Sequence, residues 1–99
     1  MTRRIHYEDV SSMARALMSI PVANRAAICL QVLRHAEAAD AHRLATGHAH
    51  PKWGTGSLME VARLHPMAPE PGFEHPDYLA ALRVVLACLH QSAVTRQHN

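Results

Sequence analysis

The chain has 99 residues, a formal net charge of +2 and a hydrophobic fraction of 48%. That length suits one domain and is too short for two, and the apolar content excludes an intrinsically disordered chain. Ten basic residues stand against eight acidic ones; apart from the adjacent Arg3 and Arg4 they are scattered, without the basic stripe that nucleic-acid binders carry.

Aromatic residues make up only 4% of the chain, so the core must rest on Ala, Leu, Val, Ile and Met. That palette favours helices over strands. Cys29 and Cys88 each lie within an Ala/Leu/Val-rich helical pattern and belong to no Cys-x-x-Cys pair. They read as reduced, buried thiols. No apolar stretch is expected to reach the ~18 residues needed to span a bilayer. The charged N-terminus lacks the apolar run of a secretory signal, so the expected location is cytoplasmic, with no membrane contact.

The first helix is expected from Glu8 to about Ser19. Val10, Met13, Ala14, Leu17 and Met18 form its apolar stripe, Glu8 and Asp9 suit the positive end of its dipole, and Pro21 follows it. The second and longest is expected from about Ala23 to Thr46, closed by Gly47. Its main stripe reads as Ala26, Cys29, Leu30, Leu33, Ala36 and Leu44, with a weaker edge at Ile28, Val32 and Ala39. This helix is the one wide enough to organise the others.

A loop follows, His48-Ala49-His50-Pro51-Lys52-Trp53-Gly54-Thr55-Gly56, rich in helix breakers. Ser57 with Glu60 three residues on has capping-box spacing, which predicts a short third helix from about Leu58 to Leu64. Pro66, Pro69, Pro71 and Gly72 keep the next segment extended. The last helix opens at Pro76, in the favoured first position. Tyr78, Leu79, Leu82, Val85, Leu86 and Leu89 form its apolar face, and it is expected to fray after Ala93. The fold expected is all-α: a compact bundle of three long helices and one short one, a single domain over 1–99 with its ordered core at about 8–93.

Two carboxylates, Glu37 and Asp40, share the angular sector of Leu30, Leu33 and Leu44 on the second helix. Buried carboxylates need hydrogen-bonding partners. The following loop offers the Trp53 indole, the His48 and His50 imidazoles, the Lys52 ammonium and the backbone N–H groups from Gly54 to Ser57. The reading preferred is structural: Glu37 and Asp40 anchor that loop, with His50, Trp53 and Ser57 as their counterparts. The alternative is a ligand pocket built from the same residues.

His48-x-His50 resembles half of a metal site, to which Glu37, Asp40, His65 or His75 would have to contribute. Neighbouring loop residues point alternately, however, and nothing in the spacing demands a metal, so no cofactor is expected. Gly54-x-Gly56-Ser57 before a helix has the composition of an anion cradle, but Lys52 precedes the glycines rather than following them as in a phosphate loop. Ser57 lacks the Gly-x-Ser-x-Gly setting of a hydrolase nucleophile. A helix-turn-helix would need a tight turn between helices two and three, where about ten residues intervene. No catalytic residue is assigned and no enzyme activity is expected.

Glu37-Ala38-Ala39-Asp40, the run Ala49-His50-Pro51-Lys52-Trp53-Gly54-Thr55-Gly56-Ser57-Leu58-Met59, and Pro69-Glu70-Pro71 with Pro76-Asp77-Tyr78-Leu79 together resemble a family of short alphaproteobacterial helical proteins, a domain of unknown function. The resemblance spans about Val10 to Leu89. It implies a bacterial cytoplasmic protein and brings no catalytic residue with it. The functional expectation is a non-enzymatic helical domain acting through a protein partner or as a homo-oligomer, with Ile28, Val32 and Ala39 as the available apolar edge. A small metal-binding protein using His48 and His50 with Glu37 or Asp40 is the first alternative, and a DNA-associated regulator the second.

Overall fold

Acidic side chains in a first turn, followed by apolar residues at helical spacing, begin α1, which runs Tyr7–Leu17. The computed structural model describes residues 4–97; the expectations placed on Met1 to Arg3 and on His98 fall outside the described residues. Helix α1 stops two residues short of the expected Ser19. Beyond Leu17 the chain tightens into i→i+3 hydrogen bonds, Ser19 N–H to the Ala16 carbonyl at 3.2 Å and Ile20 N–H to the Leu17 carbonyl at 2.9 Å, as helix ends often do. A 3₁₀ turn over Val22–Asn24 takes the place of the expected first turn of the next helix.

Helix α2 runs Arg25–Thr46 and ends on Gly47, whose left-handed φ of 77° lets its N–H reach the Arg43 carbonyl at 2.8 Å. Ser57 caps the short α3, Leu58–Ala62, by accepting from the Glu60 N–H. Helix α4, Pro76–Gln97, continues past the expected fraying point at Ala93. All named elements are helical, as expected, and the sole β feature among the described residues is an isolated bridge between His50 and Gly54.

The core contradicts two expectations about α2. Its buried face is Cys29, Val32, Leu33, Ala36 and Ala39, so the edge expected to be open to a partner is interior. Val32 is 1% exposed and Ala39 0%. Of the stripe assigned to the core, Cys29, Leu33 and Ala36 are buried as expected, whereas Ala26, Leu30 and Leu44 are exposed. The shift is a rotation toward the smaller residues. Alanines at 36 and 39 let neighbouring helices approach closely there.

Helix α1 is the hub instead of α2. It packs chiefly against α4 and α3, and more lightly against α2. It contributes Met13, Ala14, Ala16 and Leu17 to a core completed by Leu58, Val61, Ala62, Tyr78, Ala81 and Val85. A short helix touched on several sides buries more of its circumference than a long one on the outside.

The Pro-rich segment before α4 is tied across α1. Ala68 N–H donates to the Arg15 carbonyl at 3.3 Å, and Arg15 Nε returns a bond to the Ala68 carbonyl at 2.8 Å. The start of α4 is clamped by Arg25, which is buried and spans Asp77 with two bonds of 2.8 and 3.2 Å while Nε donates to the Ile20 carbonyl at 2.9 Å. One guanidinium thereby joins the α1–α2 connection to the beginning of α4.

Candidate functional site

The loop from Gly47 to Ser57 closes on itself before it meets the helices. His50 and Gly54 exchange two backbone bonds, 2.7 and 3.0 Å. Inside that turn His50 Nδ1 accepts from the N–H groups of Lys52 at 3.0 Å and Trp53 at 3.1 Å. The imidazole therefore acts as a local backbone cap. Its ring stacks on Trp53 with centroids 4.6 Å apart, and His35 of α2 also stacks on Trp53 at 4.2 Å. His42 meets His50 edge-on at 5.1 Å. The loop is thus laid along α2 by flat rings.

Its far end is held by charge and by a close backbone approach. Gly56, with φ of 105°, lies so near α2 that a Cβ there would stand 2.7 Å from the Asp40 Cβ and 2.8 Å from its Cα. Arg43 Nε donates to the Thr55 carbonyl at 3.0 Å, and its Nη2 pairs with Asp40 at 2.9 Å. Asp40 therefore orients the arginine that holds the loop. The Thr55 N–H and hydroxyl go to Glu60 of α3, at 3.2 and 2.6 Å. Glu60 does reach back as its spacing suggested, but to Thr55 rather than to the Ser57 N–H.

Asp9 is the residue that sequence reasoning passed over. It is 7% exposed. Its Oδ2 accepts from the His6 N–H at 2.9 Å, and its Oδ1 accepts from the Ser57 hydroxyl at 3.2 Å and the Met59 N–H at 3.0 Å. One carboxylate caps the N-termini of both α1 and α3. The sequence placed it in the first turn of α1 as a dipole charge; the local signal available was its N3 position, three residues after His6.

The expected site residues divide between two clefts. Asp40 and Ser57, with Arg43, Asp9 and His6, border a polar cleft of ≈ 540 Å³ at the α1 and α3 N-termini. Glu37, half-buried, lines a different and more apolar cleft of ≈ 680 Å³ between α2 and α4, with Leu30, Leu33, Val84 and Cys88. His50 and Trp53 come together through the stack, while His48 is exposed. Among the described residues no three His, Cys, Asp or Glu side chains gather closely enough to hold a metal ion.

A second polar network lies under the Pro-rich segment. The Ser11 hydroxyl donates to Glu70 at 2.6 Å and shares a 2.9 Å bond with the Tyr78 hydroxyl, which is fully buried; Tyr7 donates to the same Glu70 oxygen at 3.3 Å. The Ser11 bond is the largest influence holding the Glu70 carboxyl below its usual range, aided by Tyr7 and the Arg15 charge against the opposing effect of burial. The Tyr7 phenol is pushed up to about 12, first by the Tyr78 hydroxyl, then by burial, with Tyr78 and Glu70 charge and the Glu70 bond adding to it. The Asp77 carboxyl is lowered, mainly by its bonds to Arg25. These groups hold segments together; none stands beside an activated nucleophile.

On α4 the expectation about apolar length is corrected. Over Pro76–Thr95 the helix is long and apolar enough, by length and composition, to cross a membrane, and only 22% of that stretch is buried. Arg83 is the sole charged residue from Tyr78 to Thr95. Leu79, Leu86 and Val94 stand 42%, 55% and 40% exposed.

No curated protein and no solved structure matches the chain. The domain of unknown function DUF7742 matches residues 3–89, from the entry to α1 through most of α4. With nearly the whole helical core inside that match, the chain belongs to the DUF7742 family.

Proposed function

We propose that this domain is non-enzymatic and acts through protein–protein contact in the cytoplasm, with the outward face of α4 as its contact surface and a second copy of the chain as its partner. The observation that carries the reading is the exposed apolar surface of α4, where Leu79, Leu86 and Val94 face outward with one intervening charge. Large apolar side chains exposed at intervals along one helix face favour an interaction surface. Polar groups elsewhere support the same reading, because Asp9, Arg25, Arg43, Glu60 and Glu70 are occupied in joining segments of the fold.

Sedimentation equilibrium of the chain, with and without Leu86→Glu, tests this. The parent is expected to show a concentration-dependent mass above the 10.9 kDa protomer, and the variant to stay at protomer mass with unchanged helix content. A parent that remains at protomer mass at every concentration refutes self-association. Flotation with phospholipid vesicles tests location, and the chain is expected to stay with the soluble fraction.

A further inference from the structure

The chain contains two cysteines, and the fold brings both to the same seam. Cys29 lies on the core face of α2 and is 2% exposed. Ala26, Leu30 and Leu33, its neighbours on the helix, line the α2–α4 cleft, so Cys29 sits beneath the cleft wall. Across the seam Cys88 of α4 is half-buried, packs against the core cluster that contains Cys29, and opens onto the same cleft. Burial chiefly, then the neighbouring Cys88 thiol, pushes the Cys29 thiol up.

We propose that Cys29 and Cys88 form a redox modification site, in which a hydroperoxide converts the two thiols into a disulfide joining α2 to α4. The asymmetry of the pair sets the order of events. Cys88 is reached from the cleft and reacts first. Its thiolate attacks the peroxide, the O–O bond breaks, and the cysteine becomes a sulfenic acid as the peroxide's other oxygen leaves as water or alcohol. Cys29, held beneath the cleft wall on the facing helix, is the resolving thiol. Its sulfur displaces the sulfenic hydroxyl, its proton leaves with that hydroxyl as water, and the S–S bond forms. Two thiols are oxidised by two electrons and one peroxide is reduced. A dithiol reductant reverses the step by thiol–disulfide exchange.

The geometry also predicts why the pair must be used together. Without Cys29 nothing beneath the cleft can trap the sulfenic acid, and Cys88 would climb the oxidation ladder. With it, the product carries an intrachain link that fixes the two longest helices to one another, a constraint absent from the reduced fold. This inference is independent of self-association through α4.

The test treats the folded, full-length chain with hydrogen peroxide, then alkylates free thiols and maps peptides by mass spectrometry without reduction. Both thiols are expected to disappear together, with the Cys29 and Cys88 peptides joined in most chains, a monomer on a non-reducing gel, and full recovery with dithiothreitol. In Cys29→Ser, a sulfenic-acid trap is expected to label Cys88, rising from a trace in the parent to the main product. Parent protein in which Cys88 reaches the sulfinic acid while Cys29 remains alkylatable overturns the proposal. So does a Cys88–Cys88 dimer as the main product. Because the parent result decides the matter, the reading stands or falls even if a variant fails to fold.

Discussion

Replacing Asp9 with alanine removes the acceptor of three donors at once. Two are backbone N–H groups, of His6 and Met59, and the third is the Ser57 hydroxyl. Hydrogen bonds to a charged acceptor contribute about 1.5–3 kcal/mol each in isolation, and loss of a helix cap costs about 0.5–2 kcal/mol. The terms do not add, because His6 is exposed and water can serve its N–H after the change. Met59 is half-buried and α3 packs directly on α1, so the loss falls mainly there. The expected destabilisation is about 3 kcal/mol, which for a domain of this size lowers Tm by roughly 12–24 °C at about 4–8 °C per kcal/mol. Urea and thermal unfolding followed by circular dichroism measure it, and hydrogen exchange at Met59 locates it. Two comparisons separate the causes. Glu8→Ala removes an exposed charge from the same turn and should cost no more than about 0.5 kcal/mol. Asp40→Ala frees Arg43 at a half-exposed ion pair and should cost about 1 kcal/mol or less. An Asp9→Ala protein within about 0.5 kcal/mol of the parent, or one matched by Glu8→Ala, refutes the assignment of Asp9 as the tie between α1 and α3.

Gly56→Ala puts a Cβ against the Asp40 backbone at a φ of 105°, and is expected to cost about 2–4 kcal/mol from strain and overpacking together; denaturant unfolding reads it, and a neutral result would mean the loop stands off α2. Acid should loosen the start of α4 and the Pro-rich segment. Asp77 and Glu70 are lowered from 3.8 and 4.5, so their contribution is fully present above those values and is lost as pH falls through the lower folded ones. Asp77→Asn should flatten that part of the acid-unfolding curve. The Tyr7 phenol, pushed up from 10.0 to about 12, favours the folded state below pH 10.0, and that preference disappears as pH rises toward 12. Ultraviolet titration of phenolate absorbance should follow this, with Tyr78→Phe moving the Tyr7 step back toward its ordinary value.

The helices were legible because each carries its own punctuation. Pro76 at the start of α4, Gly47 at the end of α2 and Ser57 before α3 act through local backbone chemistry, independent of what packs where. The buried face of α2 was not legible in the same way. Its pattern holds two overlapping apolar sectors, and a hydropathy count favours the one with Leu30 and Leu44. Packing kept Cys29, Leu33 and Ala36 from that sector and added Val32 and Ala39 from the other, because the partner surfaces of α1, α3 and α4 set which side is approached closely, and that requirement belongs to the partners. The Pro-rich segment shows the same limit. Its extended form follows from its prolines, whereas its attachment through Arg15 and Glu70 depends on side chains more than fifty positions away.

The polar residues show most plainly where sequence reasoning stops. Glu37 and Asp40 drew attention because they interrupt an apolar stripe, and Trp53, His50 and Ser57 because they lie in a loop rich in donors. Each is engaged, yet the carboxylate that unites two helix ends is Asp9, which looked like an ordinary first-turn acid. Its partners at Ser57 and Met59 become visible only when α3 is set against α1. A capping carboxylate has two oxygens, and local sequence spacing identifies the use of only one. The second oxygen is where tertiary structure enters: Ser57 caps the Glu60 N–H by itself, but the Met59 N–H finds Asp9 only when α1 is in place, so Asp9 couples the two N-termini. Loss of that residue should therefore reduce the cooperativity of α3 with the rest of the bundle. In hydrogen exchange, α3 amides should exchange by local opening in Asp9→Ala and with global unfolding in the parent. Protection of α3 that stays equal to the global value in the variant would show that apolar packing of Leu58 and Val61 alone couples the helix to the core.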